Sequence, residues 1–383
     1  MATPFEFPSP QKMMADAQAS ANLTEFGDEG FLVGLRRFIE AIETELGASE
    51  GIAKAMVSQI HTRLVNLLEM EEWRRTHPEV NQVKIESAVS ITGLPRTGTT
   101  ALANILSLDE DFRSLRSWEQ TRPVPPPVLG EEETDPRRVA LKARYENMAR
   151  ENPEMMAMHL WDADAGTEDV EVLSTWFMSQ NFVLPIPEYH AWWREADLGP
   201  AFAFHRRFME LLQSRRPPDR WLFKAPAHCF HLDALFSAYP EARIVWTHRD
   251  PAKSVPSAIS FVTALMPKGL EIDVHEMGRR RCEHLRVGME RAMEARVRIG
   301  DDRFFDLHHH EFIADPMGSI ERIYDFLGFN LRPQARQKME EWYAANRSGA
   351  HGVHSYTAEQ FGLTTEQIRK DFAFYTDRFG IGR

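Results

Sequence analysis

The N-terminal part of the chain has apolar residues at the 3.6-residue spacing of amphipathic helices. From about residue 29 to 77 this spacing predicts two helices, which break near residues 47–51. Residues 1–27 contain three prolines, and we expect an irregular segment there. We interpret residues 1–80 as a helical extension that packs on the main domain.

From about residue 84 the apolar positions instead form short runs that are typical of buried strands. These runs are 84–92, 221–225, 243–248 and 304–310. Helical patterns occur between them at about 136–150, 168–180 and 200–214. Strands that alternate with helices predict an α/β fold, in which helices flank both faces of a mostly parallel sheet. We assign residues 81–383 to one α/β domain with a helical insert at about 130–215.

The loop after the first predicted strand has the spacing of a phosphate-binding loop. Gly93 and Gly98 frame it, and Thr99 and Thr100 begin the next predicted helix. Glycines let the backbone approach an anion, and the free N–H groups and dipole at a helix start attract it. Thr99 stands where nucleoside triphosphatases carry a lysine, and Arg96 is the only cation of the loop. We therefore expect a less charged ligand than a triphosphate and no metal ion.

A second candidate anion site follows the predicted strand at 243–248. Arg249 comes directly after this strand, and Ser257 is eight residues further on, in the next predicted helix. A guanidinium group at such a position can bind a phosphate with two parallel hydrogen bonds, and the serine hydroxyl can assist. The sequence thus predicts two separate anion sites on consecutive loops.

In these motifs the chain resembles the cofactor-dependent sulfotransferases. Their 5′-phosphosulfate loop reads P-[KR]-x-G-T-T, as residues 95–100 do, and their 3′-phosphate site is an Arg and a Ser eight residues apart, as Arg249 and Ser257 are. The closest branch contains the tyrosylprotein sulfotransferases and many bacterial enzymes. It shares a late acidic element followed by a helix that ends in FLG, here 311–316 and 323–328.

The resemblance implies a P-loop-like fold that binds 3′-phosphoadenosine 5′-phosphosulfate. The sulfuryl group would move to a hydroxyl or amine of an acceptor, and adenosine 3′,5′-bisphosphate would be released. The cofactor-binding residues that the resemblance implies are Arg96, Thr97, Gly98, Thr99, Thr100, Arg249, Ser257 and, in a late glycine-rich loop, Arg347.

The catalytic roles also follow from the resemblance. Arg96 would stabilise charge on the leaving group, and Lys224 would act on the transition state or position the acceptor. Two residues compete for the role of general base. Glu119 follows the loop helix at about the distance of the catalytic Glu of the tyrosylprotein branch, although a strict alignment would place Gln120 there. His228 is the rival, and we favour Glu119.

Composition narrows the class of partner. The chain has 45 Lys and Arg against 57 Asp and Glu residues, which gives a formal net charge of −12. This excess of acid disfavours nucleic acid and large polyanionic acceptors, and it leaves a small or lipid-like hydroxyl compound as the expected acceptor. Aromatic residues of the insert, among them His159, Trp161, Tyr189 and Trp193, permit an apolar acceptor pocket. The run of arginines at 279–281 is predicted to lie on a solvated helix face.

Further features bear on location and metal content. Cys229 and Cys282 are too few for a disulfide framework or a cysteine-rich zinc site, and they fit a reducing compartment. With no secretory signal and no apolar run of about 20 residues, we expect a cytoplasmic protein. The histidines at 308–310 do not predict a metal site, because neighbours on a strand point to opposite faces.

Two alternatives stay open. One is a P-loop nucleotide kinase or triphosphatase, which the threonine in place of lysine disfavours. The other is a non-catalytic nucleotide-binding protein of the same fold. The sequence also leaves the oligomeric state open, a homodimer included.

Overall fold

The structure is a computed structural model of the chain. It describes residues 5–47, 49–151, 162–217, 220–270, 272–346 and 356–382. Within these residues no helix is long and apolar enough to cross a membrane.

A five-stranded sheet lies at the centre of the fold, and all of its strand pairs are parallel. The strand order is β2-β3-β1-β4-β5. The strands are β1 (Ser87–Gly93), β2 (Phe112–Arg113), β3 (Arg220–Lys224), β4 (Arg243–His248) and β5 (Phe304–His308). The predicted parallel α/β fold is therefore confirmed. The sequence did not predict β2, because two residues are too short for a periodic pattern.

Helices account for most of the remaining chain. Those before β3 are α1 (Pro10–Ala21), α2 (Phe31–Thr44), α3 (Glu50–Thr76), α4 (Thr99–Leu106), α5 (Ser117–Thr121), α6 (Pro136–Glu151), α7 (Val172–Thr175), α8 (Pro187–Glu195) and α9 (Gly199–Gln213). Those after β3 are α10 (Leu232–Ala238), α11 (Pro251–Leu265), α12 (Val274–Ile299), α13 (His309–Ala314), α14 (Pro316–Leu327), α15 (Pro333–Ala345), α16 (Thr365–Asp371) and α17 (Ala373–Phe379).

The prediction of an irregular segment over residues 1–27 is wrong, because α1 forms there. Ser9 caps this helix by accepting a hydrogen bond from the backbone N–H of Lys12. Pro10 fits the first turn, where its missing N–H has no helical partner to lose. Met13 and Ala17 are buried on one face of α1 and belong to the main hydrophobic core.

Two hydrophobic clusters cover the two faces of the sheet. Side chains of successive strand residues alternate between them, as the pleat requires. Ala88 of β1 belongs to the larger cluster, together with residues of α1–α3, α9 and α12. Val89 of β1 belongs to the smaller cluster, together with residues of α4, α14 and α15. The fold is thus a three-layer sandwich, and the N-terminal helices contribute to its larger core.

Parallel strands bring the loops that follow them to one edge of the sheet. In the register of the sheet, Gly93 of β1 lies opposite Thr247 of β4, and Ile91 lies opposite Lys224 of β3. The loop that ends at Gly98, the loop after His248 and the segment after Lys224 consequently meet at the carboxyl edge. These are the segments that carry the predicted motifs.

Candidate active site

The loop from β1 to α4 is shaped by residues with positive φ. Gly93 has φ 139°, and a Cβ atom there would lie 2.4 Å from the carbonyl oxygen of Thr247. Gly98, with φ 96°, leads into α4. Arg96 also has positive φ, at 67°, which an arginine rarely adopts and which costs on the order of 1–3 kcal/mol. The loop holds this strained residue at its tip.

Thr97 fixes the loop to the neighbouring strand. Its hydroxyl donates to the carbonyl oxygen of Leu94 at 2.7 Å and lies 2.6 Å from the hydroxyl of Thr247. Thr97 is 1% exposed, so its hydroxyl serves to hold the loop inside the protein.

The two predicted anion motifs meet in space. Arg96 donates from Nε to the hydroxyl oxygen of Ser257 at 3.2 Å. Arg249 donates from Nη1 to the carbonyl oxygen of Arg96 at 2.8 Å. The Phe261 ring covers the Arg96 guanidinium, with its centroid 5.3 Å away. These contacts join three residues that the sequence assigned to two separate sites.

This cluster carries the positive charges of two arginines. Among the described residues, no carboxylate lies within ion-pair distance of Arg96 or Arg249. Burial lowers the pKa of Arg96, and the charge of Arg249 lowers it further. Nearby, burial and then the charge of Arg249 lower the pKa of His309 to about 4. Two partly desolvated guanidinium groups of this kind are suited to bind anions.

The cluster opens into a cavity of about 390 Å³. Arg96, Gly98, Thr99, Thr100 and Arg249 form one side of this cavity. Gly98 is the N-cap of α4, so the first backbone N–H groups of this helix begin at the cavity. His309 also lines it, and its Cδ2 would lie 3.4 Å from a Cβ atom added at Gly98.

Glu119, the favoured base, lies elsewhere. It is fully buried and paired with the equally buried Arg113, with 3.2 Å between Glu119 Oε1 and Arg113 Nη2. Its other oxygen accepts a hydrogen bond from the backbone N–H of Arg116 at 3.0 Å. Glu119 does not line the cavity, and its carboxylate holds the first turn of α5. This position does not suit a general base.

His228 is also fully buried and does not line the cavity. Its Nδ1 lies 2.7 Å from the hydroxyl of Ser90, and its Nε2 lies 2.9 Å from Asp169 Oδ2. His205 approaches the same Asp169 oxygen at 3.2 Å and extends the chain to Tyr239. Burial alone would raise the pKa of Asp169, but His228 and His205 hold it well below its usual range. The surroundings of His228 are those of a structural residue.

Lys224 lies between this buried chain and the cavity. Its backbone N–H donates to Asp169 Oδ1 at 2.8 Å. Its Nζ donates to Glu168 Oε1 at 3.2 Å, and Glu168 lines the cavity. The side chain of Lys224 is 5% exposed, so its main described partner is this glutamate.

Sequence reasoning missed two carboxylates of the cavity wall, Glu168 and Glu171. Burial, and then the charge of Glu168, raise the pKa of Glu171. Glu171 also accepts a hydrogen bond from the hydroxyl of Ser174 at 3.2 Å. The acidic run 168–171 was visible in the sequence, but no local pattern indicated that the insert would fold back against the phosphate loop.

The rest of the cavity is largely apolar, with Val170, Phe182, Phe230, Ile259 and Val262 among its lining residues. Of the aromatic residues that suggested an acceptor pocket, Tyr189 and Trp193 do not line this cavity. Tyr189 and Trp193 are buried in the core and donate to the carbonyl oxygens of Ser179 and Met178.

Three of the predicted site residues, His159, Trp161 and Arg347, lie outside the described residues. Within the described part of the chain, no cluster of His, Cys, Asp and Glu could hold a metal ion.

The solvated-face prediction for the arginine run 279–281 is wrong for one member. Arg279 and Arg280 are exposed and paired with Glu276. Arg281 turns inward and lines the cavity together with His284.

Comparisons with known proteins agree with this geometry. The model of the sulfotransferase family matches residues 88–333. A curated relative, omega-hydroxy-beta-dihydromenaquinone-9 sulfotransferase Stf3 of Mycobacterium bovis, is 25% identical over 311 residues, which are 77% of this chain and 75% of the relative. Its counterpart in Mycobacterium tuberculosis matches to the same extent.

Solved structures extend the likeness to the whole fold. Sulfotransferase STF9 from Mycobacterium avium superposes with a TM-score of 0.89 at 29% identity, over 99% of both chains. Sulfotransferase STF1 from Mycobacterium tuberculosis superposes with a TM-score of 0.84 at 28% identity, over 96% of this chain and 99% of that one. The family model covers well over half of the chain, and the chain belongs to the sulfotransferase family.

Proposed function

We propose that this protein transfers the sulfuryl group of 3′-phosphoadenosine 5′-phosphosulfate to a hydroxyl group of a small, lipid-like acceptor. The observation that carries the proposal is the contact of Arg96 with Arg249 and Ser257 at the start of α4, with no carboxylate paired to either arginine among the residues that the structure describes. This donor bears two separate anionic groups, which fits two guanidinium groups held by two different loops. With its buried free cysteines, the protein suits the cytoplasm.

The residues present fit both ends of such a donor. Arg249 and Ser257 would bind the 3′-phosphate. Because Ser257 accepts its hydrogen bond from Arg96, its own hydroxyl hydrogen stays available for a phosphate oxygen. Arg96, the N–H groups of the loop, and the hydroxyls of Thr99 and Thr100 would bind the 5′-phosphosulfate and stabilise the charge that develops on the leaving phosphate.

A base must take the proton of the acceptor hydroxyl, and we assign this role to Glu168. It lines the cavity that Arg96 and Thr100 line, and its side chain is 30% exposed. Lys224 holds the carboxylate in place from the buried side. In the transfer, the acceptor oxygen bonds to sulfur, the bond from sulfur to the phosphate oxygen breaks, and the proton passes to Glu168. Glu171 is the second candidate on this wall.

The apolar lining of the cavity and the name of a relative support the proposed class of acceptor. Apolar side chains line most of the wall beyond the two glutamates. The curated relative is named for a hydroxylated menaquinone derivative, which is a lipid. An apolar body and a reactive hydroxyl are features that this cavity suits.

The test has a binding arm and a transfer arm. Calorimetry with adenosine 3′,5′-bisphosphate should show binding to the wild-type protein and a loss of about 10- to 100-fold in affinity for Arg96→Met, since charge-assisted hydrogen bonds are removed. Arg280→Met, at an exposed arginine, is the matched control. Transfer of labelled sulfate is then measured over a panel of hydroxylated lipids. Binding of ATP with Mg²⁺ but not of the bisphosphate would overturn the proposal.

A further inference from the structure

A group of polar residues lines the cavity on the wall formed by α12 and the segment before α8. Arg281 and His284 come from α12, and Gln180 comes from the opposite segment. His284 is 7% exposed, and Arg281 is half-buried. None of the donor-site residues discussed above belongs to this group, and the sulfuryl chemistry gives it no role.

Arg281 is a desolvated cation without a counter-ion. It donates from Nη2 to the carbonyl oxygen of Phe182, and its buried Nε has no hydrogen-bond partner among the described residues. Within the described residues, no carboxylate lies within ion-pair distance of Arg281. Burial alone lowers its pKa to about 10, so it stays charged. A buried charge without a partner is costly, and a ligand oxyanion would relieve that cost.

The hydrogen bonds of His284 determine whether the side-chain amide of Gln180 presents donors or an acceptor to the cavity. Arg194 lies 3.2 Å from His284 Nδ1, and a guanidinium group can only donate, so Nδ1 accepts. The ring proton is then on Nε2, which faces the amide nitrogen of Gln180 in the structure. Because two N–H groups cannot share a hydrogen bond, we assign the amide the orientation turned by 180°, in which its oxygen accepts the proton and its N–H groups are available as donors.

We propose that Arg281 and Gln180 form a subsite for an oxyanion of the acceptor, namely a carboxylate. The inference rests on the proposed function and specifies its substrate class. The acceptor is an amphipathic molecule that carries the hydroxyl to be sulfated at one position and an anionic group at another, with an apolar body between them. Phe182 and Phe230, which line the same wall, contact that body.

The first experiment uses the full chain saturated with adenosine 3′,5′-bisphosphate and measures binding by calorimetry. The probes are unbranched ω-hydroxy fatty acids of medium and long chain, their methyl esters, and the same acids without the hydroxyl. We expect the acids to bind at least 10-fold more tightly than the esters. We expect Arg281→Met to remove this preference, because the charge-assisted hydrogen bonds are lost.

Arg280→Met is the matched control, since Arg280 is the exposed neighbour paired with Glu276. It should keep the preference for the acids. Gln180→Met provides a second variant in case Arg281→Met does not fold, which circular dichroism and thermal melting will show. It should lower the affinity for the acids and leave that for the esters unchanged.

The second experiment measures sulfate transfer to the same acids and esters. We expect kcat/KM for the acids to fall about 10- to 100-fold in Arg281→Met, with the KM of the sulfate donor unchanged. If acids bind through Arg281 but no probe is sulfated, the proposed function fails and the subsite stands. If esters and acids bind equally, or if none of the probes binds, the subsite is refuted, whatever the outcome of the transfer assay.

Discussion

Arg249 Nη1 lies 2.8 Å from the carbonyl oxygen of Arg96, so the guanidinium of the second anion motif is hydrogen-bonded to the backbone of the first. The contact is made at the residue whose φ is positive. Arg249 therefore has two roles in the proposed site, as a ligand for the 3′-phosphate and as a support for the strained loop. The two roles have separable consequences.

Arg249→Met should weaken binding of adenosine 3′,5′-bisphosphate more than Ser257→Ala does. The methionine removes both the charge and the support of Arg96, whereas the alanine removes one hydroxyl. We expect a loss of about 100-fold against about 5-fold in calorimetry, from the usual values of charged and neutral hydrogen bonds. Equal effects of the two variants would mean that the charge of Arg249 and its contact with the Arg96 backbone together contribute no more to binding than the Ser257 hydroxyl.

Glu168→Gln should lower kcat about 10²- to 10⁴-fold, the usual contribution of a general base, with little change in the KM of the donor. The amide keeps the shape of the side chain and can still contact Lys224, but it cannot take a proton. Glu171→Gln is the comparison on the same wall. If Glu171→Gln has the larger effect on kcat, the base is Glu171 and Glu168 serves only to hold Lys224.

Glu119→Gln should affect stability and leave the chemistry intact. The change leaves the fully buried Arg113 without its carboxylate, which typically costs about 3–5 kcal/mol in the free energy of unfolding. Urea denaturation measures this loss, and sulfate transfer is measured below the melting temperature of the variant. If kcat falls 100-fold in the folded variant, Glu119 takes part in the reaction.

Lowering the pH should begin to destabilise the protein at pH values well above those at which its carboxylates titrate. Burial lowers the pKa of His190 and His231 to about 3, and that of His284 well below the ordinary value. The unfolded chain takes up these protons near pH 6.5, while the folded chain does not. The free energy of unfolding therefore falls with decreasing pH below about 6.5, by about 1.4 kcal/mol per pH unit for each such histidine.

This slope can be tested with one substitution. His231→Phe keeps the ring against Trp193 and removes one titrating group, so the slope between pH 6 and 5 should decrease by about 1.4 kcal/mol per pH unit. The exposed His275, replaced in His275→Gln, is the control and should leave the slope unchanged. An unchanged slope in His231→Phe would show that this ring is protonated in the folded protein.

The sequence predicted those parts of the site that short motifs encode. Arg96, Thr99, Thr100, Arg249 and Ser257 lie in the loops that follow β1 and β4 or in the first two turns of the next helices, so strand and helix patterns suffice to place them. Because β1 and β4 are neighbours in the strand order, the loops that follow them lie side by side.

The opposite wall could not be predicted in this way. Glu168 and Arg281 reach the cavity only because a helical insert and a long helix pack against the sheet edge. No periodic pattern of apolar residues in the sequence indicates this packing. Glu119 shows the limit of spacing along the chain, since the structure places it buried beside Arg113 and away from the cavity. Tertiary packing, and not spacing in sequence, decides which carboxylates face the cavity.

The division of the cavity between two sets of elements has a practical consequence. The proposed donor side is built from strand ends and their loops, while the proposed acceptor side includes residues of the segment 168–182 and of α12. A library restricted to Gln180, Phe182 and Leu285 would vary the acceptor side without touching a donor contact. The scaffold therefore lends itself to engineering for new sulfated products, with donor affinity as an internal check that each variant is intact.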